Sequence, residues 1–234
     1  MSNTPASCAY CGQPSPELTR DHVVPRALWG GTGLPGHVVV VPACRPCQER
    51  WDLQAEYFRN SAIAMIDKGS HEVANRVLEG PVIRSLERSQ KAVAAFFRNP
   101  SVLPRTSPGG IFTGFGLAFQ LDWERFATVP EKIVRGLFYH KSQVPLSDRH
   151  VVRVFPGNGF WADQGVQNLL AVMDASAGFG DDVFQVRCTR DTNDPHCTAW
   201  LLVFYQQLAF FAWTEAVVGS APDAVPGAAP DPAI

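Results

Sequence analysis

Two Cys-x-x-Cys pairs near the start of the chain constrain its fold more than any other feature. Cys8 and Cys11 form the first pair, and Cys44 and Cys47 form the second. Two such pairs are typical of a tetrahedral Zn²⁺ site with four thiolate ligands, at which metal binding is coupled to folding. We therefore predict one structural zinc ion there. The alternatives are four unrelated buried cysteines or a redox-active pair, which would need a βαβ pattern that this sequence does not have.

The residues around the two pairs predict the local structure of a zinc module. Gly12 follows the first pair and suits a tight turn. Residues 38–41 are four consecutive valines, typical of a buried strand. From residue 45 the apolar residues recur at helical spacing, which predicts a helix over 45–67. A cysteine turn, a hairpin and a second cysteine turn at a helix start form a treble-clef layout.

The N-terminal region, residues 6–67, resembles the HNH endonuclease family, whose ββα-metal module is of the treble-clef type. The resemblance rests on Cys-x-x-Cys-Gly at 8–12, Thr-Arg-Asp-His-Val-Val-Pro at 19–25, Gly-Gly at 30–31 and Val-Pro-Ala-Cys-x-x-Cys at 41–47. Residues 56–59, 122–124 and 131–136 are also similar to an uncharacterised bacterial branch of that family. The similarity thus extends over most of the chain, but only the N-terminal region carries a known chemistry.

The resemblance implies a one-metal hydrolysis of DNA phosphodiester bonds. His22 would be the general base that takes a proton from water, and Asp21 would be a ligand of a catalytic Mg²⁺ or Mn²⁺ ion. The residue types suit these roles, because histidine titrates near neutral pH and Mg²⁺ prefers oxygen ligands. Adjacent side chains on an extended segment point to opposite sides, so one could face the phosphorus and the other the ion.

Two positions depart from the family pattern. His37 stands where the family has an asparagine, and Gln48 stands where it has asparagine or histidine. We expect Gln48 to be a second ligand of the catalytic ion, with its carbonyl oxygen one methylene further out, and Glu49 is a nearby carboxylate that could substitute. His37 would fix the loop that holds the base or join the site itself. A second interpretation stays open, in which a catalytically decayed HNH fold is a zinc-dependent nucleic-acid or protein interaction module.

Contact with DNA would depend on local basic patches, since the net charge of the chain is −2. Arg26, Arg45 and Arg50 lie close to the motif, and we predict that they hold the substrate backbone. A helix predicted over 81–98 carries a further basic face formed by Arg84, Arg88, Lys91 and Arg98. The alternative for that face is an ordinary solvated helix surface.

We predict an α+β protein in four parts. These are an HNH module with structural zinc over residues 1–68, a helical connector over 69–105, an α+β domain of unassigned role over 106–218 and a disordered tail over 219–234. The α+β domain could mediate homo-oligomerisation or bind a protein partner. Within it we interpret Cys188 and Cys197 as buried thiols and His150 as a structural or exposed residue without ligand-like spacing.

Other elements are predicted from periodicity and turn residues. Helices are expected over 71–78 and 123–140, and strands over 151–155, 183–188 and 200–205, with 208–214 either strand or helix. The sequence has no run of ~18 apolar residues that would span a membrane and no signal peptide. We therefore expect a cytoplasmic protein whose favoured function is metal-dependent cleavage of DNA.

Overall fold

The computed structural model describes residues 7–31, 34, 38–67, 71–107, 109–157, 163–174, 177–179 and 182–217. His37 and the predicted disordered tail over 219–234 lie outside these ranges. Among the residues that are described, no helix is both long and apolar enough to cross a membrane.

The N-terminal region forms a short hairpin followed directly by a long helix. Strand β1 (Leu18–His22) pairs antiparallel with strand β2 (Val40–Cys44), and Asp21 lies opposite Val41. Helix α1 (Arg45–Met65) begins where β2 ends, with a proline in its first turn. The predicted helix after the second cysteine pair is confirmed, whereas the strand predicted at residues 38–41 begins two residues later, at Val40.

A chain of short helices follows α1. It consists of α2 (Glu72–Val77), a π-helical turn (Leu78–Val82), α3 (Ile83–Arg88) and α4 (Gln90–Phe96). The prediction of one helix over 81–98 is wrong, because the chain is extended at Ser89, with φ −140° and ψ 107°. The Ser89 side chain accepts a hydrogen bond from the Ala92 amide and thereby caps α4. Pro81 lies inside the π-helical turn instead of starting a helix, and this irregular turn accommodates the backbone hydrogen bond that proline cannot donate.

The chain after α4 contains a hairpin, a long helix and a five-stranded sheet. The hairpin consists of β3 (Ser101–Thr106) and β4 (Phe112–Ala118), and helix α5 spans Trp123–Ser142. The sheet strands are β5 (His150–Pro156), β6 (Ala177–Phe179), β7 (Phe184–Arg190), β8 (Thr198–Phe204) and β9 (Leu208–Ala216), with helix α6 (Gln164–Val172) between β5 and β6. The strands are antiparallel in the order β5-β9-β8-β7-β6. Helices beside an antiparallel sheet confirm the α+β class.

Helix α5 lies at the centre of the fold, in contact with α1, β2, β5 and β9. The ring of Phe58 on α1 stacks on Phe126 of α5, with centroids 4.8 Å apart, and both rings contact Phe210 of β9. One buried apolar cluster extends from Cys8 to Ala212. The predicted domain boundaries stay predictions, and described residues of the first three predicted parts share this core.

Candidate active site

The four cysteines of the two pairs come together beside the β1–β2 hairpin. The first pair lies in a turn before β1, in which Gly12 has a φ of +70° that favours glycine. The Ala9 amide donates to the Pro42 carbonyl at 2.8 Å and ties this turn to β2. The second pair is placed by the junction of β2 and α1, since Cys44 ends the strand and Cys47 lies in the first turn of the helix.

The geometry of the four sulfur atoms fits a tetrahedral ion. All four lie within 4.8 Å of one another, and the Cys11 and Cys44 Sγ atoms are 3.8 Å apart. A tetrahedral zinc site with bonds of ~2.3 Å places its sulfurs ~3.8 Å apart. Burial, and then the neighbouring Cys8, raise the pKa of the Cys47 thiol, so four thiolates at this spacing require a cation. The cluster could therefore hold a metal such as zinc.

Strand β1 places Asp21 in a buried, charged environment. Only 6% of Asp21 is exposed. Its Oδ2 atom accepts a hydrogen bond from the Tyr10 hydroxyl at 2.5 Å and lies 2.8 Å from the Nζ atom of Lys132. Burial, followed by the negative charge of Asp21, raises the pKa of Tyr10, which keeps its hydroxyl a donor.

Helix α5 can reach β1 because Gly136 has no side chain. A Cβ atom at Gly136 would lie 2.7 Å from a methyl carbon of Val23, which follows β1. The close approach brings Lys132, one turn earlier on α5, to both Asp21 and the His22 carbonyl, to which its Nζ donates at 3.0 Å. Lys132 is only 3% exposed. Residues 131–136 belong to the family resemblance, but nothing in the sequence predicted the contact of Lys132 with Asp21.

The imidazole of His22 is more open than the carboxylate of Asp21. Partial burial, and then the positive charge of Arg26, lower the pKa of His22 below its usual value. Its ring is therefore neutral at pH 7, the form that can accept a proton. Arg26 begins the single turn of 3-10 helix (Arg26–Trp29) that follows β1.

The polar face of α1 lines the other side of the site. The Gln48 Oε1 atom accepts a hydrogen bond at 3.0 Å from the hydroxyl of Thr19, which lies two residues before Asp21 on β1. Asp52, one turn further along α1, also lines the site, and burial raises its pKa. Sequence reasoning missed Asp52, although the spacing of four residues between Gln48, Asp52 and Glu56 places all three on one helix face.

Residues of β1, the 3-10 turn, α1, α3 and α5 line an open cleft of about 700 Å³, which we call the Asp21–His22 cleft. Its walls carry six cationic residues and three carboxylates, a net formal charge of +3 in a chain of net charge −2. The cationic residues are Arg20, Arg26, Arg59, Arg84, Arg88 and Lys132, and the carboxylates are Asp21, Asp52 and Glu56. Low-dielectric walls concentrate such a charge, so the cleft suits an anionic ligand.

The predicted site residues divide into those that reach the cleft and those that do not. Asp21, His22, Arg26 and Gln48 line it. Arg45 does not, since it pairs with Glu49 at 2.7 Å on the exposed side of α1, and this pair also takes Glu49 away from the site. The Arg50 guanidinium lies over the Trp51 ring, 4.8 Å from its centroid. The prediction for His37 falls outside the described residues.

The predicted basic face is divided by the helix break at Ser89. Arg84 and Arg88 on α3 line the cleft. Lys91 and Arg98 are not among its lining residues, and Arg98 instead lies 3.8 Å from a carboxylate oxygen of Asp122. Half of the predicted face thus adds to the positive charge of the cleft.

Comparisons with protein-family models, curated proteins and solved structures found no match to this chain. The chemistry of the cleft therefore has to be inferred from its own residues.

Proposed function

We propose that this protein is a metal-dependent HNH-type endonuclease that hydrolyses DNA phosphodiester bonds in the Asp21–His22 cleft. The observation that carries the proposal is the position of Asp21 and His22 on one strand, beside the four-cysteine cluster and at the wall of a positively charged cleft. Phosphodiester hydrolysis needs a base for water and stabilisation of a developing negative charge, and this cleft offers both.

Different residues of the cleft have different roles in the proposed hydrolysis. His22 accepts the proton of the attacking water, because its ring is neutral and open to the cleft. Arg26, Arg84 and Arg88 hold phosphates of the substrate backbone. Lys132 and Tyr10 orient the Asp21 carboxylate. These two contacts fix the orientation of the Asp21 carboxylate before substrate arrives.

The donor set of the cleft suits a hard divalent cation. Asp21 and Asp52 supply carboxylate oxygens and Gln48 supplies an amide oxygen, the donors that Mg²⁺ and Mn²⁺ prefer. When bound, such an ion would neutralise charge on the scissile phosphate. Asp21 and Asp52 are the residues that we expect to hold it, and Gln48 is the third candidate ligand.

A second function is favoured by one specific contact. The Lys132 ammonium lies 2.8 Å from Asp21, so a cation of the protein already neutralises this carboxylate. The same fold could then bind nucleic acid or protein without cutting it, as a zinc-dependent interaction module. Both functions use the positive cleft, and they differ in whether a divalent ion is bound and DNA is cut.

Plasmid cleavage separates the two functions. We expect the purified full-length protein to nick supercoiled plasmid with Mg²⁺ or Mn²⁺ and to lose this activity in EDTA. Asp21→Ala should abolish nicking, whereas the control His140→Ala, at an exposed histidine outside the cleft, should not change it. Retention of DNA on the protein without nicking under any divalent ion would favour the interaction module.

A further inference from the structure

A second cluster of metal-ligating side chains lies in the five-stranded sheet, outside the Asp21–His22 cleft. His150 is the first residue of β5, and Asp194 and Cys197 lie in the loop between β7 and β8. The ligand atoms of the three residues all lie within 4.8 Å of one another. We propose that His150, Asp194 and Cys197 form a second zinc site, independent of the nuclease function.

The distances within the cluster match the edges of a zinc coordination tetrahedron. The Asp194 Oδ2 atom lies 3.2 Å from His150 Nε2 and 3.3 Å from Cys197 Sγ. Zinc bonds of ~2.0 Å to nitrogen and oxygen and ~2.3 Å to sulfur give N···O edges of ~3.3 Å and S···O edges of ~3.5 Å. An ion can therefore enter with only small movements of the three side chains.

The loop that carries Asp194 and Cys197 is held by its own hydrogen bonds. The Asp191 carboxylate accepts from the amides of Asn193 and Asp194, at 2.7 and 3.2 Å. The second oxygen of Asp194, Oδ1, accepts from the His196 amide at 2.8 Å. A ligand carboxylate fixed through its other oxygen is typical of metal sites, in which outer hydrogen bonds orient the ligands.

The imidazole of His150 is also fixed in orientation. It stacks on the ring of His196, with centroids 5.1 Å apart, and His196 in turn stacks on Phe138 of α5 at 5.4 Å. The His150 side chain is only 4% exposed, whereas that of Asp194 is 41% exposed. The cluster is therefore closed on the imidazole side and open to solvent beside the carboxylate, where water can complete the coordination of the ion.

The mixture of donors selects the kind of ion. One imidazole, one thiolate and one carboxylate form a borderline-soft set that suits Zn²⁺, whereas Mg²⁺ and Ca²⁺ prefer oxygen donors throughout. A nucleophilic cysteine is less consistent with the geometry. Its thiol would have to donate to the imidazole, but the Cys197 Sγ atom donates to Asp194, which lies between the two.

Zinc content tests this site in the full-length protein. After equilibration with excess Zn²⁺ and gel filtration in buffer with excess Mg²⁺, which competes for the oxygen donors of the Asp21–His22 cleft, we expect two zinc ions per chain by mass spectrometry, one at the four cysteines and one here. Cys197→Ser and His150→Gln should each lower the content to one per chain. The control Cys188→Ser, at a buried thiol of the same sheet outside the cluster, should keep two.

The wild-type count decides the proposal even if a variant fails to fold. One zinc per chain in the wild type after equilibration would overturn it and leave the three residues a hydrogen-bonded cluster without metal. Two zinc ions in a folded Cys197→Ser variant, checked by circular dichroism, would also overturn it. The count does not depend on DNA cleavage, so an inactive protein with two zinc ions would refute only the nuclease function.

Discussion

Asp21 is held by two donors to the same oxygen atom. Tyr10 and Lys132 both bind Oδ2, and none of the described residues donates to Oδ1. Both members of the Asp21–Lys132 pair are nearly fully buried. A buried charge without its partner is costly, so the pair fixes the carboxylate and ties β1 to α5.

Lys132→Met tests this anchoring role. We expect a loss of about 3–5 kcal/mol in the free energy of unfolding, because the Asp21 carboxylate would stay buried with only the Tyr10 hydroxyl as a donor. Urea unfolding followed by tryptophan fluorescence measures the change. Arg45→Met, which breaks the exposed Arg45–Glu49 pair, is the control and should leave the unfolding midpoint unchanged. Equal small effects of the two substitutions would contradict the role of Lys132.

The two proposed ligands on α1, Gln48 and Asp52, can be tested through the Mg²⁺ concentration that cleavage requires. We expect Asp52→Asn to raise the Mg²⁺ concentration for half-maximal cleavage by about 10-fold or more, because a carboxylate near the ion is lost. Gln48→Asn should preserve or raise activity, since asparagine stands at this position in the HNH family that the sequence resembles. Glu49→Gln, at a carboxylate directed away from the cleft, is the control. An unchanged Mg²⁺ requirement in Asp52→Asn would remove Asp52 from the ligand set.

Sequence could predict some residues of the cleft and not others for a physical reason. Asp21, His22 and Gln48 lie within or next to a motif of fixed spacing, so a local pattern identifies them. Lys132 reaches Asp21 only because Gly136 lets α5 approach β1, a long-range contact that no local pattern encodes. Asp52 did have a local signal in its helical spacing from Gln48.

Helices and strands with one strong periodicity could be predicted, and interrupted elements could not. Helix α5 has an apolar face along its whole length and begins at Asp122, whose side chain caps it. The segment over 81–98 has apolar residues at helical spacing on both sides of a polar stretch at 87–91, and within that stretch the Ser89 side chain starts a new helix. Strand β3 contains Pro104, and the sequence did not predict this strand because proline is rare inside strands.

The helix break at Ser89 separates two basic residues that line the cleft from two that do not, and DNA binding can test the difference. We expect Arg84→Glu with Arg88→Glu to weaken DNA binding and to flatten its dependence on salt, because two phosphate contacts of the cleft are lost. The same reversal at Lys91 and Arg98, outside the cleft, is the matched control and should have a much smaller effect. Fluorescence anisotropy over a series of salt concentrations measures both. Equal effects of the two double variants would place the DNA elsewhere.

At the scale of the whole molecule, the N-terminal region with its four-cysteine cluster and the C-terminal sheet share one core. Phe58 of α1 and Phe210 of β9 meet across Phe126 of α5, so the position of α1 affects the packing of the sheet. The start of α1 is fixed by the cysteine cluster. Binding of an ion there should therefore stabilise the whole chain.

Cys44→Ser tests this coupling. We expect loss of zinc from the four-cysteine cluster and loss of cooperative unfolding of the whole chain, since structural zinc contributes free energy comparable to the total stability of ~5–15 kcal/mol. Thermal unfolding by circular dichroism measures the effect, with Cys188→Ser as the control. A Cys44→Ser variant that melts like the wild type would show that the core does not need the ion.

The central claim is that His22 is the base of a DNA-cleaving site, and the single-turnover cleavage rate of duplex DNA in Mg²⁺ tests it most directly. We predict that the wild type cuts, that His22→Ala cuts about 10²–10⁴-fold more slowly, and that added imidazole restores part of the rate to this variant. The His140→Ala control should cut at the wild-type rate. Equal rates for the wild type and His22→Ala, or no cleavage by the wild type with any divalent ion, would contradict the claim.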